Sequence, residues 1–267
     1  MISFPGCKIN LGLDVLNKRA DGYHEIESVL FPIPWKDALE IIPATSFQFT
    51  SSGLTIPGNA SNNLCVKAYD LLKKTYGIPH VHIHLHKIIP MGGGLGGGSA
   101  DGAEVLKLLN KLFDLKITQE NLKEFAAQLG SDCPFFIENK PQFASGTGTE
   151  LESVDLNLNG YYIKLINNGT HVSTAEAYAS ITFSKTEEGI TRALQQPIEK
   201  WQNRLQNSFE SSVFKIHPEL EELKLKLLEE GAVYASMTGS GSTLYGIYKS
   251  EPEPTFADCS FEKILAL

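Results

Sequence analysis

"PMGGGLGGGSADGA", residues 90–103, carries six glycines in the seven positions 92–98. Glycine loses more backbone freedom on folding than any other residue, so such a run needs a reason. A flexible linker would be one. The flanks argue for another. Upstream, "HVHIHLHKII" alternates strictly and puts Val81, Ile83 and Leu85 on one face of a strand. Downstream, "AEVLKLLNKLF" sets Val105, Leu106, Leu108, Leu109, Leu112 and Phe113 on one helical face. Strand, glycine loop and helix start follow without a gap. A helix N-terminus offers unpaired N–H groups and the positive end of the helix dipole, and glycines let those amides approach a ligand. The stretch is predicted to be a phosphate cradle.

It is neither of the two common ones. A P-loop continues from its last glycine into Lys and then Ser or Thr, whereas Gly98 is followed by Ser99 and Ala100. Gly92, Gly94 and Gly97 satisfy a literal G-x-G-x-x-G, but a run this dense does so by chance. A dinucleotide fold also needs a second parallel strand ending in an acid about 20 residues on. Here "TQENLKEFAAQLG" follows and reads as a helix. Thr118 is its N-cap, Leu122, Phe125, Ala126 and Leu129 its stripe, and Gly130 its end.

The setting is that of a globular protein. The chain of 267 residues suffices for one large domain or two modest ones, and 42% hydrophobic with 20% charged residues is ordinary for such a chain. A net charge of −8 argues against a general nucleic-acid or anionic-membrane binder. No apolar run approaches a membrane span, and "MISFPGCKIN" lacks the character of a signal or transit peptide. Cys7, Cys65, Cys133 and Cys259 lie far apart without a C-x-x-C pair, which fits free thiols and a cytoplasmic location. His80, His82, His84 and His86 share one strand face. Alternate strand residues diverge at roughly 7 Å spacing and do not converge on a metal, so this reads as a polar sheet face.

Several other segments bear polar groups in suggestive places. In "CKINL", Lys8 and Asn10 alternate with Ile9 and Leu11, as on a strand with one polar face, and a half-exposed edge strand would look the same. Asp21-Gly22 marks a hairpin turn beside Tyr23 and His24, which could simply be a surface aromatic and a solvated imidazole. "NNLCVKAYDLL" reads as a helix with Asn62 or Asn63 near its start. Asp132, two residues ahead of Pro134, has the look of an ordinary N-cap. "TGSGSTLYGIY" reads as a glycine turn entering an alternating strand, and a plain hairpin is the simple alternative. The strand-rich first half and the composition of "ESVDLNLNG" place a domain boundary near residue 155. A long helical stretch is expected from Ile198 to Gly231. The chain is therefore α+β.

Taken in order, "CKINLGL", "RADGYHEIESV", "NNLCVKA", the glycine loop, "GSDCPFF" and "TGSGSTLYG" resemble the motifs of the GHMP small-molecule kinases. "RADGYH" close behind "KINLGL" resembles the branch with a cytidyl substrate. The resemblance implies a two-domain fold, with a ribosomal-S5-like N-terminal domain (1–155, ATP-binding), a ferredoxin-like C-terminal domain (156–267) and the active site between them. It implies ATP and Mg²⁺ as cofactors, with phosphoryl transfer to the tertiary 2-hydroxyl of 4-diphosphocytidyl-2-C-methyl-D-erythritol.

Residue by residue, the resemblance makes Lys8 and Asp132 catalytic. The nucleotide falls to Pro90, Gly92, Gly93, Gly94, Leu95, Gly96, Gly97, Gly98 and Ser99, with Asn63, Lys67 and Lys87 as further contacts and Ser99 assisting Mg²⁺. The cytidyl substrate falls to Asn10, Tyr23, His24, Thr174, Tyr178 and Gly239. Tyr23 and Tyr178 would stack on the cytosine and His24 would bond its edge, while Gly239 and Gly241 brace the phosphate loop. No resident metal site of the protein's own is implied, nor any nucleic-acid or membrane partner, and the chain is expected to be a monomer or homodimer. Departures are two residues, Gly6 and Cys7, between Pro5 and Lys8, Ser131 and Cys133 around the aspartate, and "NSFE" at 207–210 where Asn-Asp-Leu-Glu is common. That last segment receives no chemistry. A GHMP kinase for another alcohol such as mevalonate, or a nucleotide-binding protein without catalysis, are the alternatives.

Overall fold

The structure, a computed structural model, describes residues 1–179, 181–256 and 259–267. The chain divides into two compact units: Met1–Lys8, Trp35–Met91 and Gly96–Lys140 form one, and Ile9–Pro34, Gly92–Leu95 and Pro141–Leu267 the other. Elements are labelled in chain order.

The first unit is built on a four-stranded sheet, β1 (Ile2–Ser3), β4 (Ala38–Pro43), β6 (Val81–Lys87) and β5 (Gln48–Gly53), in that spatial order. β4 runs antiparallel to both β1 and β6, while β5 pairs parallel with β6. That parallel pair is joined through helix α1 (Leu64–Tyr76), so one βαβ unit sits within a chain read as plain α+β. α1 starts at Asn63, whose side-chain oxygen accepts from Cys65 N at 2.8 Å. It ends at Gly77 in the left-handed conformation, where glycine carries no Cβ penalty. α2 (Gly97–Leu112) packs on α1, and α3 (Gln119–Leu129) leans on both. α3 begins and ends as its sequence predicts: Thr118 accepts from Asn121 N, and Gly130 follows the last turn. A single turn, α4 (Phe135–Glu138), closes the unit.

β6 keeps its predicted alternation. Val81, Ile83 and Leu85 are buried, and the opposite face carries the histidines. These interleave with β5: Thr50 Oγ1 bonds His82 Nε2 and His84 Nδ1, each at 2.8 Å, and Ser52 Oγ bonds His84 Nε2 and His86 Nδ1, each at 2.9 Å. The polar face is thus a ladder of hydroxyls and imidazoles.

The second unit holds two sheets. One has the order β2 (Cys7–Lys18, of which the residues from Ile9 onward belong to this unit), β3 (His24–Ile33), β7 (Gln142–Ser145), β8 (Glu150–Ser153). β2 and β3 form the hairpin marked by Asp21-Gly22, with Gly22 at φ 88. Residues 7–15 of β2 are buried throughout, on both faces, which removes the reading of a half-exposed edge strand.

The other sheet has the order β10 (Tyr234–Met237), β11 (Leu244–Tyr248), β9 (Tyr162–Asn167), β12 (Phe261–Ala266), antiparallel throughout. Numbered within the sheet this is 2-3-1-4, the ferredoxin-like order. Helices α5 (Thr174–Ala179), α6 (Ile190–Leu194), α7 (Glu210–Ile216) and α8 (Pro218–Glu229) lie between its first and second strands. Leu13 and Val15 of β2 share a core with Ile166, Phe209, Val213, Leu220 and Met237.

The long helical stretch expected from Ile198 to Gly231 is broken into three: a 3-10 turn at Ile198–Asn203, then α7, then α8. Two local features break it. Asn207 turns its Oδ1 onto Phe209 N, competing with helical bonding, and Pro218 opens α8 because it cannot continue the preceding helix.

Candidate active site

In the first unit, Gly96 is the N-cap of α2, at φ 70 and ψ 11, and the helix opens on Gly97, Gly98 and Ser99. Their amides belong to the helical turn that has no internal acceptors. A Cβ at Gly96 would lie 3.1 Å from the Phe136 ring and 3.2 Å from Lys8 Cγ, so Lys8 runs directly against the helix start. Lys8 is buried, and its ammonium lies 3.6 Å from Asp132 Oδ2. Asp132 does not cap α4, whose N-cap is Pro134 without a side-chain bond. Its carboxylate is 39% exposed and therefore reachable by a ligand. Burial pushes the adjacent Cys133 thiol up to about 11, while a hydrogen bond with Ser99 pulls the other way. Lys8, Asp132, Gly96 and Ser99 are thus assembled in one place.

A cavity of about 230 Å³ opens beside the same helix start, lined in part by Pro57, Asn59, Asn63, Leu64, Met91 and Gly98. Apolar walls with a few amides suit a flat heterocycle. Asn63 lines this cavity while capping α1. Lys67, one turn along α1, is exposed and is not among the lining residues. Lys87 reaches the cavity wall, but its ammonium is engaged elsewhere. It is fully buried between Asp37 and Asp101, bonding Asp101 Oδ2 at 2.8 Å. Burial alone would pull this lysine down, yet Asp101 and Asp37 together outweigh it and hold it raised. Asp37 also accepts from Ile88 N and Ile89 N. The two aspartates bind the end of β6 to the first turns of α2. Neither was singled out from sequence, because Lys87 meets partners 50 and 14 residues away.

The second unit holds the remaining residues. Gly92 and Gly94 have φ of 82 and 81, conformations that only glycine adopts without strain. A Cβ on Gly94 would come 2.2 Å from Thr238 O, and one on Gly93 would come 2.5 Å from Thr243 Oγ1. The glycine turn at 238–243 therefore packs on this part of the loop, as expected. Thr238 Oγ1 accepts from Asn10 N at 3.2 Å and donates toward Asn10 Oδ1 and Gly94 O, both at 3.3 Å. Gly239, at φ 61, lies 3.7 Å from Asn10 Oδ1 measured from where its Cβ would stand. Thr174 opens α5 and accepts from Ser240 Oγ at 3.3 Å. A capping box holds that helix: Ser173 Oγ accepts from Glu176 N, and Glu176 accepts from Ser173 N. Asn10, Gly239 and Thr174 thus gather around one turn.

Around the hairpin, Tyr23 is 67% exposed at the tip of a turn braced by Arg19 with Asp21 and Glu25. His24 stacks on Tyr178 with ring centroids 4.3 Å apart and planes 20° from parallel. Tyr178 meets Phe209 edge-on, and Phe183 tilts toward His24 at 6.2 Å. Burial, and next Lys18, lower His24 below the ordinary imidazole range, favouring the neutral ring. Among the described residues, no group of three or more His, Cys, Asp or Glu could hold a metal ion.

Known proteins share this architecture. The GHMP kinases N terminal domain matches residues 63–140 and the GHMP kinases C terminal domain residues 190–257. The 4-diphosphocytidyl-2-C-methyl-D-erythritol kinase of Azobacteroides pseudotrichonymphae is 49% identical over 95% of this chain and 96% of its own. That of Cytophaga hutchinsonii is 50% identical over 95% of this chain and 94% of its own. A crystal structure of 4-(cytidine 5'-diphospho)-2C-methyl-D-erythritol kinase superposes with a TM-score of 0.78 at 32% identity, covering 92% of this chain and 89% of the other. The Methanococcus jannaschii mevalonate kinase, at 12% identity and a TM-score of 0.69, shares the fold. With the buried lysine, the aspartate and the glycine-opened helix in place, the chain belongs to the GHMP kinases, in the family of the 4-diphosphocytidyl-2-C-methyl-D-erythritol kinases.

Proposed function

We propose that the protein transfers the γ-phosphoryl group of ATP to the 2-hydroxyl of 4-diphosphocytidyl-2-C-methyl-D-erythritol, a step of non-mevalonate isoprenoid synthesis. The observation that carries this reading is Lys8, buried against the start of α2 and 3.6 Å from Asp132. Phosphoryl transfer asks little covalent chemistry of a protein and depends on positioning and charge. Amides of residues 92–99 hold the triphosphate, Pro90 sets the entry to the loop, and the base lies beside Asn63. Asp132 takes the proton of the acceptor hydroxyl as its oxygen attacks the γ-phosphorus and ADP departs. Lys8 orients the carboxylate and offsets negative charge on the group in flight.

Mg²⁺ fits this donor set, since it takes one or two protein oxygens and fills its shell with phosphate and water. Ser99 would supply such an oxygen. Bound there, the ion would neutralise phosphate charge. Asn10, Thr174 and Gly239 take the polyol, and Tyr23, His24 and Tyr178 the cytosine. His24 and Tyr178 stack on each other with centroids 4.3 Å apart, so the cytosine stacks on Tyr23 and lies against the outer side of that pair. A division near residue 155 into ATP-binding and C-terminal domains, a cytoplasmic location and a monomer or homodimer complete the reading. Among the described residues, no helix is long and apolar enough to cross a membrane.

The test is a coupled ADP-release assay offering the cytidyl substrate, mevalonate and homoserine separately. The reading expects turnover with the cytidyl substrate at a kcat/KM far above the other two. Preference for mevalonate or homoserine would reject the substrate, and ATP binding without release on any acceptor would reject catalysis.

A further inference from the structure

The segment "NSFE", residues 207–210, holds the backbone of the turn after β10. Asn207 is 3% exposed. Its Nδ2 donates to Met237 O at 2.7 Å and to Gly239 O at 2.9 Å, while its Oδ1 accepts from Phe209 N at 3.0 Å. Glu210 grips the same place: Oε1 accepts from Met237 N at 2.8 Å and Ser236 Oγ at 2.9 Å. Between the two carbonyls that Asn207 fixes sits Thr238, whose hydroxyl bonds Asn10 and Gly94. Only a primary amide offers two donors and an acceptor from one short side chain. A carboxylate of the same shape would set a negative oxygen against two carbonyl oxygens.

We propose that Asn207 is a positioning residue for phosphoryl transfer. It acts through the Met237 and Gly239 carbonyls to hold Thr238 against Gly94 of the phosphate loop and against Asn10. Without Asn207 the Met237 and Gly239 carbonyls lose their side-chain donors, and displacement of the turn would carry Gly94 with it. The inference rests on the kinase reading above for its effect on turnover, but not for its effect on nucleotide binding.

The experiment compares full-length Asn207→Asp, Asn207→Ser and Leu220→Ala. Leu220 is fully buried in the core of the same unit and is assigned no role in ligand binding or transfer. Melting temperature, kcat, both KM values and the Kd of a non-hydrolysable ATP analogue are measured on each. A displacement of about 1 Å can cost ~100-fold in rate, so Asn207→Asp is expected to lose roughly 10- to 100-fold in kcat. Its analogue Kd should rise several-fold. Asn207→Ser keeps an oxygen for Phe209 N–H and one donor, so it should fall between, and it carries the test if the aspartate variant does not fold. Leu220→Ala should lose melting temperature while each folded molecule keeps wild-type kinetics.

Wild-type kcat and analogue Kd in a folded Asn207 variant would overturn the inference. So would a loss that merely follows melting temperature as Leu220→Ala does. If the wild type binds the analogue yet phosphorylates no acceptor, the kinase reading fails. The analogue Kd then still decides the role of Asn207.

Discussion

Lys8 Nζ lies 3.6 Å from Asp132 Oδ2, the lysine buried and the aspartate 39% exposed. The asymmetry fits the division of labour: the cation is fixed by the protein while the carboxylate keeps a face for a ligand.

The glycine loop gives a position-specific forecast. Gly94→Ala forces a left-handed alanine, at about 1–2 kcal/mol, and drives its Cβ to 2.2 Å from Thr238 O, so backbone must move. Gly98 has nothing within 4 Å of an added Cβ and sits in the first turn of α2. Thermal unfolding should show Gly94→Ala clearly destabilised and Gly98→Ala near wild type. Calorimetry should show weakened ATP binding for Gly94→Ala. Equal melting temperatures would contradict the packing of the loop on the 238–243 turn.

Lys87 separates two roles. If it clamps Asp37 and Asp101, Lys87→Met leaves buried carboxylates unpaired and costs about 3–5 kcal/mol in urea unfolding. Lys87→Met/Asp101→Asn should recover part of that loss. A lysine that mainly contacted phosphate would instead weaken ATP binding with little change in stability.

Tyr23 offers an exposed ring at the hairpin tip. Tyr23→Ala should weaken the cytidyl ligand by roughly 1–3 kcal/mol, the worth of a base stacked on an aromatic side chain. ATP affinity, measured in parallel, should hardly change. Equal losses for both ligands would make the residue a structural one.

The thiols supply a pH dependence. Burial pushes Cys7 up to about 12 and Cys133 up to about 11, against an ordinary value of 9.0. In the unfolded chain they ionise near 9.0, so between 9 and 11–12 the folded state binds more protons and stability falls as pH rises. Urea midpoints should decline across that window and less steeply in Cys7→Ala/Cys133→Ala. At pH 8 a thiol reagent should label Cys259, half-buried, ahead of the other three.

The local parts of this molecule were legible in its sequence. Asn63, Thr118 and Gly130 act where their types and spacing place them, as does the Asp21-Gly22 turn, because each acts on backbone a few residues away. The succession of strand, glycine loop and helix start was legible for the same reason. What escaped was long-range pairing. Asp37 and Asp101 become partners of Lys87 only when the entry to β4, the end of β6 and α2 converge, and Thr50 and Ser52 meet the histidines only through a parallel register. Asn207 looked inert because its bonds go to carbonyls 30 and 32 residues on, which leave no trace in residue type.

The central claim is that Asp132 takes the acceptor's proton with Lys8 as its partner. The direct measurement is kcat for Asp132→Asn, Lys8→Met and the double variant, with ligand Kd and melting temperature as controls. Asparagine keeps size and hydrogen bonding but not the proton acceptor, so kcat should fall by about 10²–10⁴-fold while Kd moves little. The double variant should lose less than the product of the single losses, as paired groups do. A folded Asp132→Asn enzyme within a few-fold of wild type would contradict the account.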